Sequence, residues 1–445
     1  MANTAAQPPL KIAIAGLGTV GVGVIRLLAT NHDLIAARAG RAIEVVAVSA
    51  RERGKDRGVD IAPYAWEDDM TALGARDDVD VVVELVGGSD GPALTLSQTA
   101  LGEGKGLVTA NKAMIAHHGL ELAQAAEDND APLKFEAAVA GGIPVVKGLR
   151  EGTSANALSK VYGILNGTCN YILSEMESTG ADFAETLTDA QKLGYAEADP
   201  TFDIEGIDAA HKLAILAAIG FGTKVDFEAV NTTGIVQVRA ADIAQADALG
   251  FVIRLIAEAD VQDEDGTAKL LQRVRPCLVA KDHPLAPVDG PTNAVVAEGN
   301  FSGRLLFQGA GAGDGPTASA VVADLIDIAR SFENGGEVGA PFSMPVSQLK
   351  ALEPAEPGHR TERTYLRFTV NDRPGVLAEI TAAMRDGDVS IESLIQQGRH
   401  NEGGEVLVAM VTHEGPEANV RAALDLLKGS DSLTGDPLVL PILPS

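Results

Sequence analysis

The six residues Gly16-Leu17-Gly18-Thr19-Val20-Gly21 constrain the fold more than any other part of the chain. They follow an apolar run, Lys11 to Ala15, and open a helix-like stretch toward Leu28. A G-x-G-x-x-G placed between strand and helix needs its first glycine for a tight turn and its second for close approach of a pyrophosphate. The third lets helix and strand pack closely. Unpaired N–H groups at the helix N-terminus, together with the helix dipole, favour an anion there. A Gly-rich turn without a ligand is the bland alternative, and the flanking strand and helix weigh against it. Gly16, Gly18, Thr19, Val20 and Gly21 are therefore the first candidate cofactor-binding residues.

The surrounding rhythm supports the same fold. Lys11 to Ala15, Ile43 to Ser49, Val79 to Val86, Leu107 to Thr109 and Leu133 to Val139 read as buried strands separated by helical stretches. Runs rich in Val and Ile without polar alternation predict strands covered on both faces, as in a parallel, Rossmann-type doubly wound α/β sheet. At 445 residues the chain exceeds one hydrophobic core, so two to three domains are expected. The pattern predicts a dinucleotide-binding domain over 1–140 and an α+β substrate and dimerisation domain over 141–350. The second carries a helix near Ile207 to Ile219 and strand-like pieces at Gln272 to Ala280 and Ala294 to Glu298. A Gly-rich run, Gly309 to Gly315, opens a helix within about 310–335 that is expected to return to the first domain. Residues 351–362 are Pro-rich and polar, which reads as a linker. A βαββαβ order over 363–445 then predicts a ferredoxin-like sandwich.

Charge narrows the partners. A formal net charge of -27 repels nucleic-acid phosphates and anionic membrane surfaces, so neither is expected as a partner. Met1 to Leu10 lacks a basic segment followed by an apolar one, and no later run approaches the length of a membrane span. Two cysteines, Cys169 and Cys277, stand far apart in sequence, which fits a reducing compartment and predicts a cytoplasmic chain.

In so acidic a protein, basic clusters are informative. The second strand ends Val48-Ser49-Ala50-Arg51, where an NAD-preferring site normally has Asp or Glu. Arg51, Arg53, Lys55 and Arg57 offer charge-assisted bonds to a 2′-phosphate, favouring NADP(H) over NAD(H); a merely solvated loop is the alternative. Thr109 and Lys112 sit at the end of a parallel strand, where open α/β sheets place ligand contacts. Lys112 there reads either as a carbonyl-polarising or carboxylate-binding group or as a surface lysine at a helix start. Carboxylates crowd the stretch from Glu197 through Asp203 to Asp208. Asp208 and Lys212, four apart, share one helix face and can pair.

Gly-Leu-Gly-Thr-Val-Gly, Thr109-Ala-Asn-Lys112, Asn166-Gly-Thr-Cys-Asn170 and the Glu197 to Lys212 block, in this order and spacing, resemble the homoserine dehydrogenase family over roughly residues 11–330. The resemblance implies interconversion of L-homoserine and L-aspartate 4-semialdehyde in threonine, methionine and isoleucine biosynthesis. It implies that Lys112 contacts cofactor and substrate, that Glu197 and Asp203 bind the amino acid, and that Asp208 and Lys212 serve hydride and proton transfer. It places Gly313 near the cofactor. Glu136, Val139, Gly141 and Ile143 resemble a loop whose carbonyls hold Na+, although a plain Gly-rich turn reads equally well. Asn371-Asp372-Arg373-Pro374-Gly375 resembles the ligand loop of an ACT domain, implying L-threonine as feedback effector; a ligand-free dimerisation module is the alternative. A homo-oligomer, dimer or tetramer, is expected. Two competing readings are a semialdehyde dehydrogenase using Cys169 as nucleophile and a non-catalytic dinucleotide and amino-acid sensor.

Overall fold

A computed structural model describes residues 7–333, 339–356, 358, 360–397 and 405–444. Its first sheet is built from β1 (Leu10–Ala15), β2 (Ile43–Ser49), β3 (Ala65–Trp66), β4 (Val81–Glu84), β5 (Gly106–Thr109) and β6 (Leu133–Lys134). The strands run parallel in the order β3-β2-β1-β4-β5-β6. This is the Rossmann order, and its direction reverses between β1 and β4, where such sheets hold their ligands. The central strands are buried on both faces, as their apolar runs require.

Two strand expectations are corrected. The Val79 to Val86 run pairs only over β4, and Leu133 to Val139 shortens to β6. After β6 the chain turns into a single 3-10 turn, Glu136–Ala138. The backbone leaves the ladder because the Glu136 N–H donates to Asp324 (2.9 Å), while the Glu136 carboxylate accepts from the N–H groups of Val146 (2.9 Å) and Lys147 (2.8 Å).

The second sheet comprises β7 (Leu158–Ile164), β8 (Asn231–Thr232), β9 (Phe251–Glu264), β10 (Thr267–Ala280), β11 (Thr292–Gly299), β12 (Gly303–Ala310) and β13 (Glu353–Pro354). Its order is β12-β11-β7-β9-β10-β13, with β8 beside β10. The helices Gly167–Thr179 and Ile207–Phe221 join its strands in one apolar core, which continues beneath the first sheet. The Gly-rich run ends β12 and then opens the helix Asp314–Glu333. That helix returns, as the sequence suggests, onto the helix Thr19–Thr30. A Cβ at Gly23 would lie 2.9 Å from the Asp314 carbonyl oxygen, so glycine permits the crossing.

A third unit contains β14 (Thr361–Glu362), β15 (Thr364–Asn371), β16 (Ile391–Gln397), β17 (Glu405–Thr412), β18 (Gly415–Pro416) and β19 (Leu438–Pro441). The antiparallel order β16-β17-β15-β19 with helices Val376–Asp386 and Glu417–Leu426 is a ferredoxin-like arrangement. The segment read as a linker is tied down: β13 pairs with β10 and β14 with β18. Arg360 donates to Glu258 (2.6 Å) and Asp260 (3.0 Å). Residues 357 and 359 lie outside the described set.

Candidate functional site

The three motif glycines divide their work. Gly16 has φ +99, and a Cβ there would meet the Leu85 carbonyl oxygen at 2.7 Å. A Cβ on Gly21 would meet the Gly16 carbonyl oxygen at 2.0 Å, which forces glycine where helix and turn touch. Gly18 has nothing within 4 Å. Its open face lies before the N-terminal turn of Thr19–Thr30, with Thr19 exposed and Val20 half-buried. The cradle fits the pyrophosphate of a dinucleotide.

Beyond β2, Arg51, Arg53 and Lys55 are exposed, and among the described residues no hydrogen bond or ion pair fixes the Arg51 side chain to the rest of the site. Arg57 is the anchored member of the group. It donates to the carbonyls of Leu17 (3.3 Å), Lys55 (2.8 Å) and Glu52 (2.5 Å), folding the basic loop onto the glycine turn. The guanidinium carbons of Arg53 and Arg57 each lie 5.8 Å from the Trp66 ring centre, within cation–π range.

Thr109 is turned away from the cleft. Its hydroxyl donates to Glu84 (2.6 Å) and accepts the Asn111 N–H (3.0 Å), and both Thr109 and Glu84 are buried. The other Glu84 oxygen accepts from Val86 (2.7 Å) and Gly87 (3.1 Å). Asn111 caps the helix Lys112–Asp128 through the Met114 N–H (3.1 Å). Thr109 therefore holds the start of the helix that carries Lys112. Sequence reasoning missed Glu84 because it ends an apolar strand without any polar pattern.

Lys112 and Lys212 converge on Asp208 from different helices. The Lys112 ammonium lies 3.1 Å from one Asp208 oxygen, and Lys212 donates to the other at 2.7 Å. Lys212 also donates to the Leu165 carbonyl (2.7 Å), which accepts in addition from Asn293 (3.0 Å). Burial opposes the Asp208 charge, but Lys212 and Lys112, aided by hydrogen bonds, outweigh it and hold the carboxyl well below its ordinary value. Asn166 donates to Asp203 (2.7 Å) and to Asp208 (2.9 Å). The Asp203 carboxyl shifts upward, chiefly through burial, with the Asn166 hydrogen bond opposing.

These groups open into a cavity of about 690 Å³. Val20, which follows the glycine turn, and Gly313 line it together with Lys112, Asp203, Asp208 and Lys212. Gly141 also borders it, whereas Glu136, Val139 and Ile143 do not. Ala140 (φ 56) and Gly141 (φ 54) bend this loop sharply. The Glu136 and Ile143 carbonyls accept the N–H groups of Val139 (3.3 Å) and Val145 (2.7 Å), each leaving one lone pair for a hard cation. The Glu136 carboxylate is committed to backbone N–H groups, and burial followed by the Asp324 charge pushes its pKa up to about 7. Among the described residues no group of three or more His, Cys, Asp or Glu side chains is placed to hold a metal.

Glu197 does not join the cluster. Its side chain is exposed on the loop after Gly194, and its carbonyl accepts from Gln191 (3.0 Å). Cys169 is buried, its thiol donates to the Asp203 carbonyl (3.2 Å), and burial followed by the Asp203 charge raises its pKa well above normal. It cannot supply a thiolate nucleophile at neutral pH. His211 stacks on Phe227 (4.3 Å between ring centres) and is pushed down to about 4 by burial, then by His117 and Lys112. The Asn-before-helix signal at Asn166 marks a cap in the sequence, but its two carboxylate partners lie 37 and 42 residues away.

The chain matches the family models described as homoserine dehydrogenase over residues 144–326, homoserine dehydrogenase NAD binding domain over 16–136, and ACT domain over 364–428. Homoserine dehydrogenase of Synechocystis sp. is 43% identical over 98% of this chain and 99% of its own. The crystal structure of a homoserine dehydrogenase from Thiobacillus denitrificans superimposes with a TM-score of 0.91 at 40% identity, covering 98% of each chain. A hyperthermophilic archaeal homoserine dehydrogenase in complex with NADPH gives 0.61 at 26% identity, over 72% of this chain and 97% of its own. Among the described residues no single helix is long and apolar enough to cross a membrane.

Proposed function

Because the chain belongs to the homoserine dehydrogenase family and is an oxidoreductase acting on a CH–OH group, we propose that it transfers hydride between NADP(H) and the pair L-homoserine and L-aspartate 4-semialdehyde, using Lys212 as proton donor. The observation that carries this reading is the pairing of Lys112 and Lys212 on one buried Asp208 at the wall of the cavity. In reduction, a bound nicotinamide would supply the hydride to the aldehyde carbon, and the Lys212 ammonium would give a proton to its oxygen. Asp208 holds that ammonium in place, and the Leu165 carbonyl accepts a second hydrogen bond from it. Lys112 adds positive charge where the alkoxide develops. Asp203 accepts the substrate ammonium, and Glu197, exposed and outside the cavity lining, would share it only if the loop after Gly194 moved inward. Gly16, Gly18, Thr19, Val20, Gly21 and Gly313 cradle the dinucleotide.

Preference for NADP(H) is supported by the basic loop at Arg51 to Arg57, folded against the glycine turn, and by the NADPH held by the archaeal relative. Feedback by L-threonine is supported by a cavity of about 180 Å³ at the Asn371 to Leu377 loop. Carbonyls of the 136–143 loop suit Na+. The proposed domain bounds are 1–140, 141–350 and 363–445, with the intervening segment adding β13 to the second sheet and β14 to the third unit; the enzyme is a homo-oligomer, and it works in the cytoplasm in threonine, methionine and isoleucine biosynthesis. The sensor reading is disfavoured because binding alone needs no lysine paired at Asp208. Homoserine-dependent NADPH formation, abolished in Lys212→Ala, tests the proposal; absence of turnover with homoserine would overturn it.

A further inference from the structure

Asp203 and Asp208 face the same cavity, yet their surroundings differ in one respect. Asp208 has two ammonium partners, Lys112 and Lys212. Among the ion pairs of the described residues Asp203 has none, and its largest opposing influence is a neutral one, the Asn166 hydrogen bond. A carboxylate left without its own cation inside a cavity can accept an external one.

Asn166 makes this division. Its Oδ1 accepts the Cys169 N–H (2.7 Å) and so caps the helix Gly167–Thr179. That contact fixes which way the amide faces: the oxygen toward the helix, the nitrogen toward the two acids. The two Nδ2 protons go one to Asp203 (2.7 Å) and one to Asp208 (2.9 Å). A flipped amide would set its oxygen against both carboxylates. Serine or threonine could cap the helix as well, but neither offers two donors from one atom. A lysine or arginine would offer the donors and also neutralise Asp203.

We propose that Asn166 is a positioning residue for substrate binding: it holds Asp203 in the cavity as an acceptor for the substrate ammonium while the two lysines remain assigned to Asp208. The proposal rests on the reading of Asp203 as ammonium acceptor given above. The groups facing Asp203 are Thr168 and Cys169 on the helix Gly167–Thr179, and Asp208 and Lys212 on the helix Ile207–Phe221. Lys112 reaches Asp208 from its own helix, and Glu205 lies in the intervening turn. Burial and Asp208 favour protonation of Asp203; Asn166, Lys212 and Thr168 oppose it. Removing the amide protons leaves Asp203 more readily protonated, and a protonated acid no longer pairs with an ammonium.

Asn166→Ser keeps a capping oxygen and deletes both amide donors. In the full-length enzyme, kcat and KM for homoserine are measured from pH 5.5 to 8.5, with NADP KM and thermal unfolding in parallel. The expected result is a homoserine KM raised by up to about tenfold at the acid end of the range, narrowing as pH rises, as the acid limb of kcat/KM moves up by about one unit. The NADP KM stays unchanged. A fall in thermal stability with the acid limb in its wild-type place would mean that Asn166 only caps a helix, and the proposal would be wrong. Asp203→Asn separates the two layers. Unchanged homoserine KM in Asp203→Asn overturns the ammonium reading itself; a raised KM there with an unmoved acid limb in Asn166→Ser overturns the role of Asn166 alone. If Asn166→Ser does not fold, Asn166→Asp retains cap and volume, and its third carboxylate is expected to move the acid limb the same way; an unmoved limb again refutes the proposal.

Discussion

The Asp208–Lys212 pair yields a quantitative test through a double-mutant cycle. Lys212→Met removes an ammonium that bonds Asp208 at 2.7 Å and the Leu165 carbonyl at 2.7 Å. Asp208 then keeps Lys112 at 3.1 Å and Asn166 at 2.9 Å. Lys112 is 34% exposed and partly screened by water, so Asp208 becomes undercompensated, at a cost of about 2–3 kcal/mol. Asp208→Asn leaves the Lys212 side chain, only 11% exposed, with the Leu165 carbonyl and no paired carboxylate, which costs about 3–5 kcal/mol, the usual range for a broken buried pair. The double variant removes both charges and is expected to fall short of the summed single losses by about 2–4 kcal/mol. Urea unfolding followed by circular dichroism measures each corner. Additivity within about 0.5 kcal/mol would refute the pairing.

The pH dependence of this coupling has a definite sign. Asp208 is a carboxyl whose folded pKa is depressed. Its stabilisation is fully present above the unfolded value of about 3.9 and is lost only as pH falls through the lower folded value. The coupling is therefore constant between pH 8 and pH 5, and decay within that window would contradict the structure. In catalysis, Lys212→Met should lower kcat about 10²–10⁴-fold while homoserine KM changes little.

Gly21→Ala should abolish dinucleotide binding and destabilise the first domain, because its Cβ would sit 2.0 Å from a backbone oxygen, whereas Gly18→Ala should leave stability unchanged and weaken only the cofactor, since nothing lies within 4 Å; calorimetry with and without NADPH distinguishes them. Arg51→Asp should raise the NADPH KM roughly ten- to a hundredfold and the NADH KM far less, the loss of a charge-assisted bond; equal losses would remove the 2′-phosphate role. Truncation after Leu352 should abolish threonine inhibition yet also lower the unfolding temperature, because Glu258 loses Arg360 and Asp242 loses Arg367; an unchanged unfolding temperature would contradict that docking. Gly375→Ala, at φ +98, should weaken threonine inhibition without altering kcat, as read from inhibition curves.

The first domain was legible because its signals are local. A strand, a three-glycine turn and a helix occupy adjacent residues, and β2 runs from Ile43 to Ser49 as its apolar run predicts. The second domain was only partly legible. β9 is buried along most of its 14 residues, so it carries no inside–outside alternation, and Arg254 near its start reads as a surface residue. In the structure Arg254 is 1% exposed and is held by Glu177 (2.8 Å) and Asp289 (2.7 Å), partners that no local pattern joins to it. The lysines and Asp208 could be named from spacing and resemblance. Asn166 could not be given its role, because a hydrogen bond across 37 residues is written in the topology and not in the motif.

The same distinction governs the segment from 351 to 362. Proline and polar composition signal that a stretch does not form helix or long strand, and the strands among its described residues, β13 and β14, have two residues each. Composition says nothing about what the polar groups meet. Arg360 meets Glu258 and Asp260, and Glu362 meets Arg275 at 2.7 Å, so the charges that mark the segment as soluble are those that bind it to the second sheet. Just beyond, Arg367 and Tyr365 of β15 donate to the fully buried Asp242 at 2.7 and 3.1 Å. Asp242 belongs to the helix Ala240–Ala248, which lies against the helix Gly167–Thr179 capped by Asn166. A domain joined through buried, mutually compensated charges has a defined seat, since displacing it would leave carboxylates and guanidiniums unpaired in an apolar setting. A polar tether and a polar latch have the same composition; only the position of the opposite charges separates them.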